Sequence, residues 1–302
     1  MMAAPREQAT RDPAVSVVIP TYQRPDALRR CLAALARQEF PSDRFEVIVV
    51  DDGSALPAAE VVHQYEAQLP VCLLVQSNRG PAAARNAGAA RARGQLLAFT
   101  DDDCQPHPGW LERLVQAANE EPGAAIGGRT INALDRNAFS TASQILIDYL
   151  YEVYNQPASP REPMFTSNNL AMPTAGFREI GGFPTDFTKA GGEDRELCAR
   201  WHHGGRRMLY APSAVIDHHH DLTFASFVRQ HFVYGRGAYL FRHKQHGRGR
   251  EHRLEPLRFY RNLLLYPFGR MPFLQSLRIT ALLCVSQAAN ALGFFWELRA
   301  QR

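Results

Sequence analysis

The sequence predicts an α/β fold, a mainly parallel sheet flanked by helices, with a helical basic appendage at the C-terminal end. Strand-type and helix-type segments alternate four times within the first hundred residues, which argues βαβ units with right-handed crossovers. Two of the strand-type runs end on carboxylates, at Asp51-Asp52 and at Asp101-Asp102-Asp103. Charge is also divided: residues 225–302 hold thirteen Lys and Arg against three acids, a net of +10, whereas residues 1–224 carry −6 of the overall +4.

Residues 15–20 form a β-branched run that reads as a buried first strand, and the helix after it starts near Pro25-Asp26 with Leu28, Leu32 and Leu35 on one face. Residues 45–50 are a second strand, 58–68 a helix, 71–76 a third strand, 81–93 an Ala-rich helix and 95–100 a fourth strand. The alternation then loosens. A helix is expected over 110–118, a short strand over 124–128, an amphipathic helix over 140–154 and a mobile Pro-rich loop over 155–163. A strand over 166–172 follows, and 177–182 leads into a turn at Phe183-Pro184. Gly191-Gly192-Glu193-Asp194 opens a helix to His203, with strand-like pieces at 208–210 and 215–216 before Asp217-His218-His219-His220-Asp221. From Leu222 the pattern is helical, broken by a basic loop over 244–253.

These segments divide into a lead-in (1–13), an α/β domain (14–221) and a helical basic appendage (222–302). The lead-in lacks an apolar h-region and reads as disordered rather than as a signal peptide. Cys31, Cys72, Cys104, Cys198 and Cys284 are scattered without a CxxC, as in a reduced, cytoplasmic protein. Residues 279–296 are uncharged over 18 positions, the lower edge of a membrane span, with Ser286, Gln287 and Asn290 counting against one. A buried helix and a membrane-associated helix both fit that stretch.

Three carboxylates at the end of a buried strand sit where open α/β sheets bind ligands. Crowded in this way they stay ionised if a hard divalent cation, Mg²⁺ or Mn²⁺, shares them, and such a metal usually completes its shell with substrate phosphate. The plainer reading is a solvated loop or a set of helix caps, since Pro106 and Pro108 open a helix just afterwards. Asp51-Asp52-Gly53 alone is an ordinary turn. Two acidic strand ends one βαβ unit apart suggest more: one to accept from a base or ribose hydroxyl, the other to hold metal and diphosphate. Arg85, on the helix after Asn78-Arg79-Gly80, is placed to neutralise phosphate or is simply solvated. No GxGxxG follows the first strand, which counts against a dinucleotide redox enzyme, and the absence of GxxxxGK[ST] excludes a P-loop.

Val17-Val18-Ile19-Pro20-Thr21-Tyr22, Val49-Val50-Asp51-Asp52-Gly53-Ser54, Ala84-Arg85-Asn86-Ala87-Gly88, Thr100-Asp101-Asp102-Asp103 and Gly191-Gly192-Glu193-Asp194 occur in one order and spacing. In this the chain resembles family 2 glycosyltransferases of the GT-A fold, over about residues 15–220. The resemblance implies a nucleoside-diphosphate sugar donor, with Pro20, Thr21 and Tyr22 lining the base, Asp52 accepting from it and Asp101 meeting ribose or sugar. It implies Asp103, with Asp102, as metal ligands; three Asp in a row leave the pattern usually written Asp-x-Asp ambiguous. Asp194 becomes the base and Glu193 orients the acceptor, for which chemistry gives its own reason: transfer needs a carboxylate to take the acceptor hydroxyl's proton. Simple N-capping is the alternative for that pair, whose two glycines permit close backbone approach to a sugar. Arg200 would hold that carboxylate or contact phosphate. On a strand His218 and His220 share a face opposite His219; the resemblance implies that one of them is a further metal ligand, and a plain pairing with Asp217 or Asp221 is the alternative.

The function expected is metal-dependent, inverting sugar transfer to a hydroxyl acceptor, lipid-linked or belonging to a polysaccharide or other cell-envelope glycan. A sugar-phosphate nucleotidyltransferase would normally bring a Gly-rich loop with Arg and Lys that this chain lacks, and a non-catalytic sugar-nucleotide-binding scaffold would need a motif residue lost. Phe224, Phe227, Phe232, Tyr234, Tyr239 and Phe241 interleave with Arg229, Arg236 and Arg242. That suggests contact with an anionic membrane surface, on the cytoplasmic face of the inner membrane, unless these aromatics pack under the domain. No nucleic-acid recognition motif accompanies the charge.

Overall fold

The computed structural model of the chain describes residues 12–156, 161–187, 191–249 and 255–301. Most of the lead-in, the centre of the 155–163 loop and the end of the 244–253 loop lie outside the described residues. Strands β1 (Val15–Thr21), β2 (Phe45–Asp51), β3 (Val71–Val75) and β4 (Leu96–Phe99) are parallel, joined through helices α1 (Pro25–Leu35), α2 (Ala59–His63) and α3 (Pro81–Arg91). Helices cover both faces, so every residue of β1 and β2 is buried and the strands read as unbroken apolar runs. Val15, Val17 and Ile19 meet Leu28, Leu32 and Leu35 of α1 on one side, while Val18, Ile48 and Val50 meet Ala84 and Ala89 of α3 on the other.

The second half changes direction. After β5 (Cys104–Pro106), α4 (Trp110–Glu120), β6 (Ala125–Asn132) and α5 (Ala138–Tyr154), the chain enters a 3₁₀ turn (Ser167–Asn169) and then β7 (Leu170–Pro173). It goes on through α6 (Thr174–Glu179) and α7 (Glu193–His203) to β8 (Met208–His218). The sheet has eight strands in the order β3-β2-β1-β4-β7-β6-β8-β5. β7 runs antiparallel to both β4 and β6, and β5 antiparallel to β8, so the sheet is parallel throughout only in its first half.

This reversal builds the site. Because β7 is antiparallel, Leu170 pairs with Phe99, which brings the start of β7 to the edge where β4 ends on Asp101-Asp102-Asp103. β8 delivers its last residue, His218, opposite Cys104. One sheet edge thus collects the ends of β1, β2, β4 and β8 and the turn before β7.

Several elements differ from expectation. The strand expected over 166–172 begins only at Leu170, because Ser167–Asn169 turns as 3₁₀ helix, and residues 177–182 include the end of α6. The two short pieces around 208–216 are one strand, with an irregularity opposite Gly128/Arg129. Strand β5 falls where Pro106 suggested only a helix entry, and helix runs on to Gly247 into the basic loop.

The C-terminal helices are α8 (Phe224–Gly247), α9 (Leu257–Leu265) and α10 (Phe273–Ala300). A capping box of Thr223 and Ser226 starts α8. Backbones of α8 and α10 approach closely where Gly235 faces Asn290 O and Gly293 faces Phe232 O. The uncharged stretch of α10 buries one stripe, Ile279, Leu283, Ser286, Ala289 and Gly293, while Leu292 and Phe295 are exposed. Most aromatics of α8 pack inward: Phe227 and Phe241 are buried, Phe232 meets Trp296 and Tyr239 meets Phe294. Of those singled out in the sequence, Phe224 is the one that stands exposed.

Candidate active site

Asp101, Asp102 and Asp103 meet three different environments. Asp101 Oδ1 accepts from Arg85 Nη2 at 2.6 Å. Asp102 is fully buried, accepts from Thr21 Oγ1 at 2.8 Å through Oδ2, and faces Arg24 Nη2 at 2.7 Å through Oδ1. Burial pushes it up to about 7 despite the opposing Arg24 charge. Asp103 is largely but not fully buried, yet His218 Nε2 at 3.4 Å and Arg24 Nη1 at 2.7 Å outweigh burial and hold it well below the usual carboxylate range. His218 is correspondingly raised, burial being outweighed by Asp103. His220 stacks on His218 at 4.9 Å and is pushed down to about 4 by burial and by that neighbour's charge.

Asp103, Cys104 and His218 offer ligand atoms within 4.8 Å of one another. Burial drives the Cys104 thiol well above its ordinary value, so it remains a neutral thiol and a poor donor to a hard cation. The remaining carboxylate and imidazole fit Mg²⁺ or Mn²⁺, and Asp102 Oδ1 is joined to Asp103 through Arg24. His218 must shed its proton to bind, as any imidazole ligand does. His220 lies beyond His218 in the stack.

The second acidic group is built differently. Gly191 and Gly192 have φ of 141° and 97°, open to glycine, and turn the chain into α7. What they approach closely is the helix backbone, since a Cβ on Gly237 of α8 would collide with Gly191 O. Glu193 Oε2 accepts from Gly191 N at 2.6 Å, and Asp194 Oδ2 accepts from Ser167 N at 2.9 Å. Asp194 Oδ1 is buried with no hydrogen-bond partner among the described residues. Burial, reinforced by Asp194, pushes Glu193 up to about 7, and burial raises Asp194 as well. Arg85 links the two groups: bonded to Asp101, it stands 4.0 Å from Glu193 Oε1, with its Nε and Nη1 unpartnered among the described residues.

Other residues singled out in the sequence are placed as follows. Asp52 accepts from Gln76 Nε2, Arg79 N and Gly80 N at 2.7 to 2.9 Å, so it shapes the loop before α3. Pro20 is buried inside the sheet, Thr21 is bonded to Asp102, and Tyr22 is the exposed member of that trio. Arg200 donates to the carbonyls of Ile180 and Gly182 and pairs with Glu196, one turn back, rather than with Asp194. Six helix positions separate 194 from 200, which puts them on different faces. Two residues of the site went unread: Ser167, whose backbone N–H holds Asp194, and Arg24. Neither carries a periodic signal, though an arginine between a strand end and a proline-started helix is placed to face that strand edge.

A family model described as Glycosyl transferase family 2 matches residues 16–180, and one described as the N-terminal domain of galactosyltransferase matches 154–221. A validoxylamine A glucosyltransferase of Streptomyces hygroscopicus subsp. limoneus is 34% identical over 249 residues, covering 73% of this chain and 55% of that protein. The chain thus spans just over half the length of that relative. A mannosyltransferase of Pyrobaculum calidifontis, solved with GDP-Man and Mn²⁺, shares the fold with a TM-score of 0.62 at 20% identity, over 97% of this chain and 80% of its own. TarS residues 1–349 of S. aureus, solved with UDP-GlcNAc, shares it with a TM-score of 0.55 at 17% identity, over 93% and 89%. With its mixed sheet of GT-A type, the chain belongs to glycosyl transferase family 2.

Proposed function

We propose that this enzyme moves a sugar, with inversion, from a nucleoside-diphosphate sugar bound with Mg²⁺ or Mn²⁺ to an acceptor hydroxyl. The observation that carries this reading is the single guanidinium of Arg85, which pairs with Asp101 and stands 4.0 Å from Glu193, tying the acid triplet and the helix-start pair to one edge. Asp103 and His218 would hold the metal, with Asp102 beside them. Bound there, the metal supplies charge stabilisation for the departing diphosphate. Asp194 takes the acceptor's proton: its burial raises its basicity above that of an ordinary carboxylate, and Ser167 N fixes one oxygen so that Oδ1 is left to act. Glu193 orients the acceptor, Tyr22 faces the base, and Arg85 has two donor nitrogens left for phosphate or sugar oxygens. Asp52 serves the nucleotide through the loop it holds. A melting screen with UDP-, GDP- and dTDP-sugars in Mn²⁺ tests the reading, since a ligand of the folded state raises the melting temperature by mass action. One nucleotide class should stabilise the protein only with metal present; no response to any of them contradicts the proposal.

We assign the donor site to residues 14–221 and membrane contact to 222–302, with the enzyme peripheral on a cytoplasmic membrane face and its acceptor presented there as an envelope glycan or lipid-linked sugar. Support comes from the last two helices and the 3₁₀ turn between them, where Leu257, Leu265, Phe268, Phe273, Leu274 and Leu277 are exposed, as are Arg258, Arg261 and Arg278. Each basic residue near an anionic surface contributes about 1 kcal/mol. The full chain should sediment with anionic but not zwitterionic vesicles, less so in high salt, and a Phe273→Glu, Leu274→Glu variant should stay in solution. Indifference of the wild type to lipid would refute the assignment.

A further inference from the structure

Arg24 holds the oxygens a metal would need. It stands at the start of α1, after Gln23, a non-glycine residue at φ 58° whose N–H is fixed by Ser54 Oγ at 2.9 Å. Its guanidinium spans two carboxylates: Nη1 donates to Asp103 Oδ2 at 2.7 Å, and Nη2 lies 2.7 Å from Asp102 Oδ1 without hydrogen-bond alignment. The other oxygen of Asp103 faces His218. The Arg24 side chain is 51% exposed, whereas that of Arg85, which serves Asp101, is 5% exposed. One arginine is therefore built in, and the other reaches over the triplet from solvent.

A divalent cation bound to Asp103 takes charge that Arg24 is using, and a guanidinium at contact distance from a dication is repelled by it. The metal must push Arg24 aside, and the displaced side chain, anchored at the head of α1, is left beside the site without an anion. A diphosphate restores one, and the guanidinium fork matches its oxygens. We propose that Arg24 is the resident counter-cation of the acid triplet and couples the two ligands, so that metal binds weakly alone and strongly with a nucleoside diphosphate. This rests on the metal reading proposed above.

Mn²⁺ binding followed by the electron paramagnetic resonance signal of the free ion tests it without any turnover. Wild type, Arg24→Gln and Arg24→Lys are titrated with MnCl₂ alone and then with UDP or GDP, a protein-free control correcting for Mn²⁺ held by nucleotide. Arg24→Gln should bind Mn²⁺ alone about 10-fold more tightly than wild type. Its gain from nucleotide should be at least about 5-fold smaller, a coupling loss within the usual range for linked sites. Arg24→Lys, which keeps the charge, should bind Mn²⁺ alone much as wild type does. A purely structural arginine would weaken metal binding when removed, so equal or weaker Mn²⁺ affinity in a cooperatively melting Arg24→Gln overturns the inference while leaving the metal site standing. Mn²⁺ binding to neither protein, even with nucleotide, would bring down the metal reading and this inference with it.

Discussion

The two acidic groups at the sheet edge share one arginine and differ in almost everything else. Asp101 and Asp103 each meet a cationic nitrogen within 2.7 Å, whereas the nearest guanidinium nitrogen to Glu193 is 4.0 Å away. Both groups are largely desolvated, yet Asp103 is held low while Glu193 and Asp194 are raised. Burial alone drives a carboxylate toward its neutral form, and close cations reverse this, so neighbours rather than residue type assign the roles. Asp102 marks the limit of that rule inside the triplet: fully buried and flanked by Asp103, it is pushed up to about 7 even with Arg24 at 2.7 Å.

The sharpest way to break the comparison is to empty the cationic group of its key anion. Asp103→Ala should lower metal-dependent donor affinity at least about 100-fold, as loss of a direct ligand exceeds the loss usual for its supporting partners. Calorimetric titration of donor in Mn²⁺ checks this, and the melting curve should stay cooperative because no core volume is removed. A smaller disturbance moves the uncharged flank of the other group. Gly237→Ala would force α8 away from Gly191, costing about 1–3 kcal/mol by overpacking, and should lower kcat more than donor affinity.

Acid should separate the groups as well. With Asp194 needed ionised and raised by burial, kcat should fall as pH drops through a range above that of ordinary carboxylates. For stability the sign is opposite: the folded protein binds these protons more tightly than the unfolded chain, so the contribution of Glu193 declines as pH rises from the ordinary carboxylate range toward about 7, and that of Asp194 declines upward from the same range. Glu193→Gln should accordingly raise the melting temperature at pH 8, by roughly 2 °C, and by less at pH 5.

The first half of the molecule was legible because its strands are buried on both faces. β1 and β2 read as β-branched runs, and the Asp residues at the ends of β2 and β4 fall on the ligand edge by the topology of parallel sheets. The reversal at β7 left no comparable mark, since Ser167-Asn168-Asn169 looks like strand until the 3₁₀ turn is seen. The partner of the Gly191-Gly192 turn is Gly237, 46 positions on, and no local pattern joins them. The uncharged run of α10 fits a buried or a lipid-facing helix equally by composition, and the structure buries one stripe of it and leaves the opposite side exposed. Arg24 escaped because a lone arginine in a loop declares its target only when the fold brings Asp102 and Asp103 to it.

The division of labour between the two groups is tested most directly by Asp194→Asn, measured for donor affinity in Mn²⁺ and for turnover on the same preparation. Shape and the Ser167 contact side of the residue persist, and the proton acceptor is lost. The account predicts wild-type donor affinity with kcat reduced by about 10²–10⁴-fold. Turnover within a few-fold of wild type, or donor affinity that collapses along with it, would contradict the assignment of proton transfer to α7 and donor binding to the strand end.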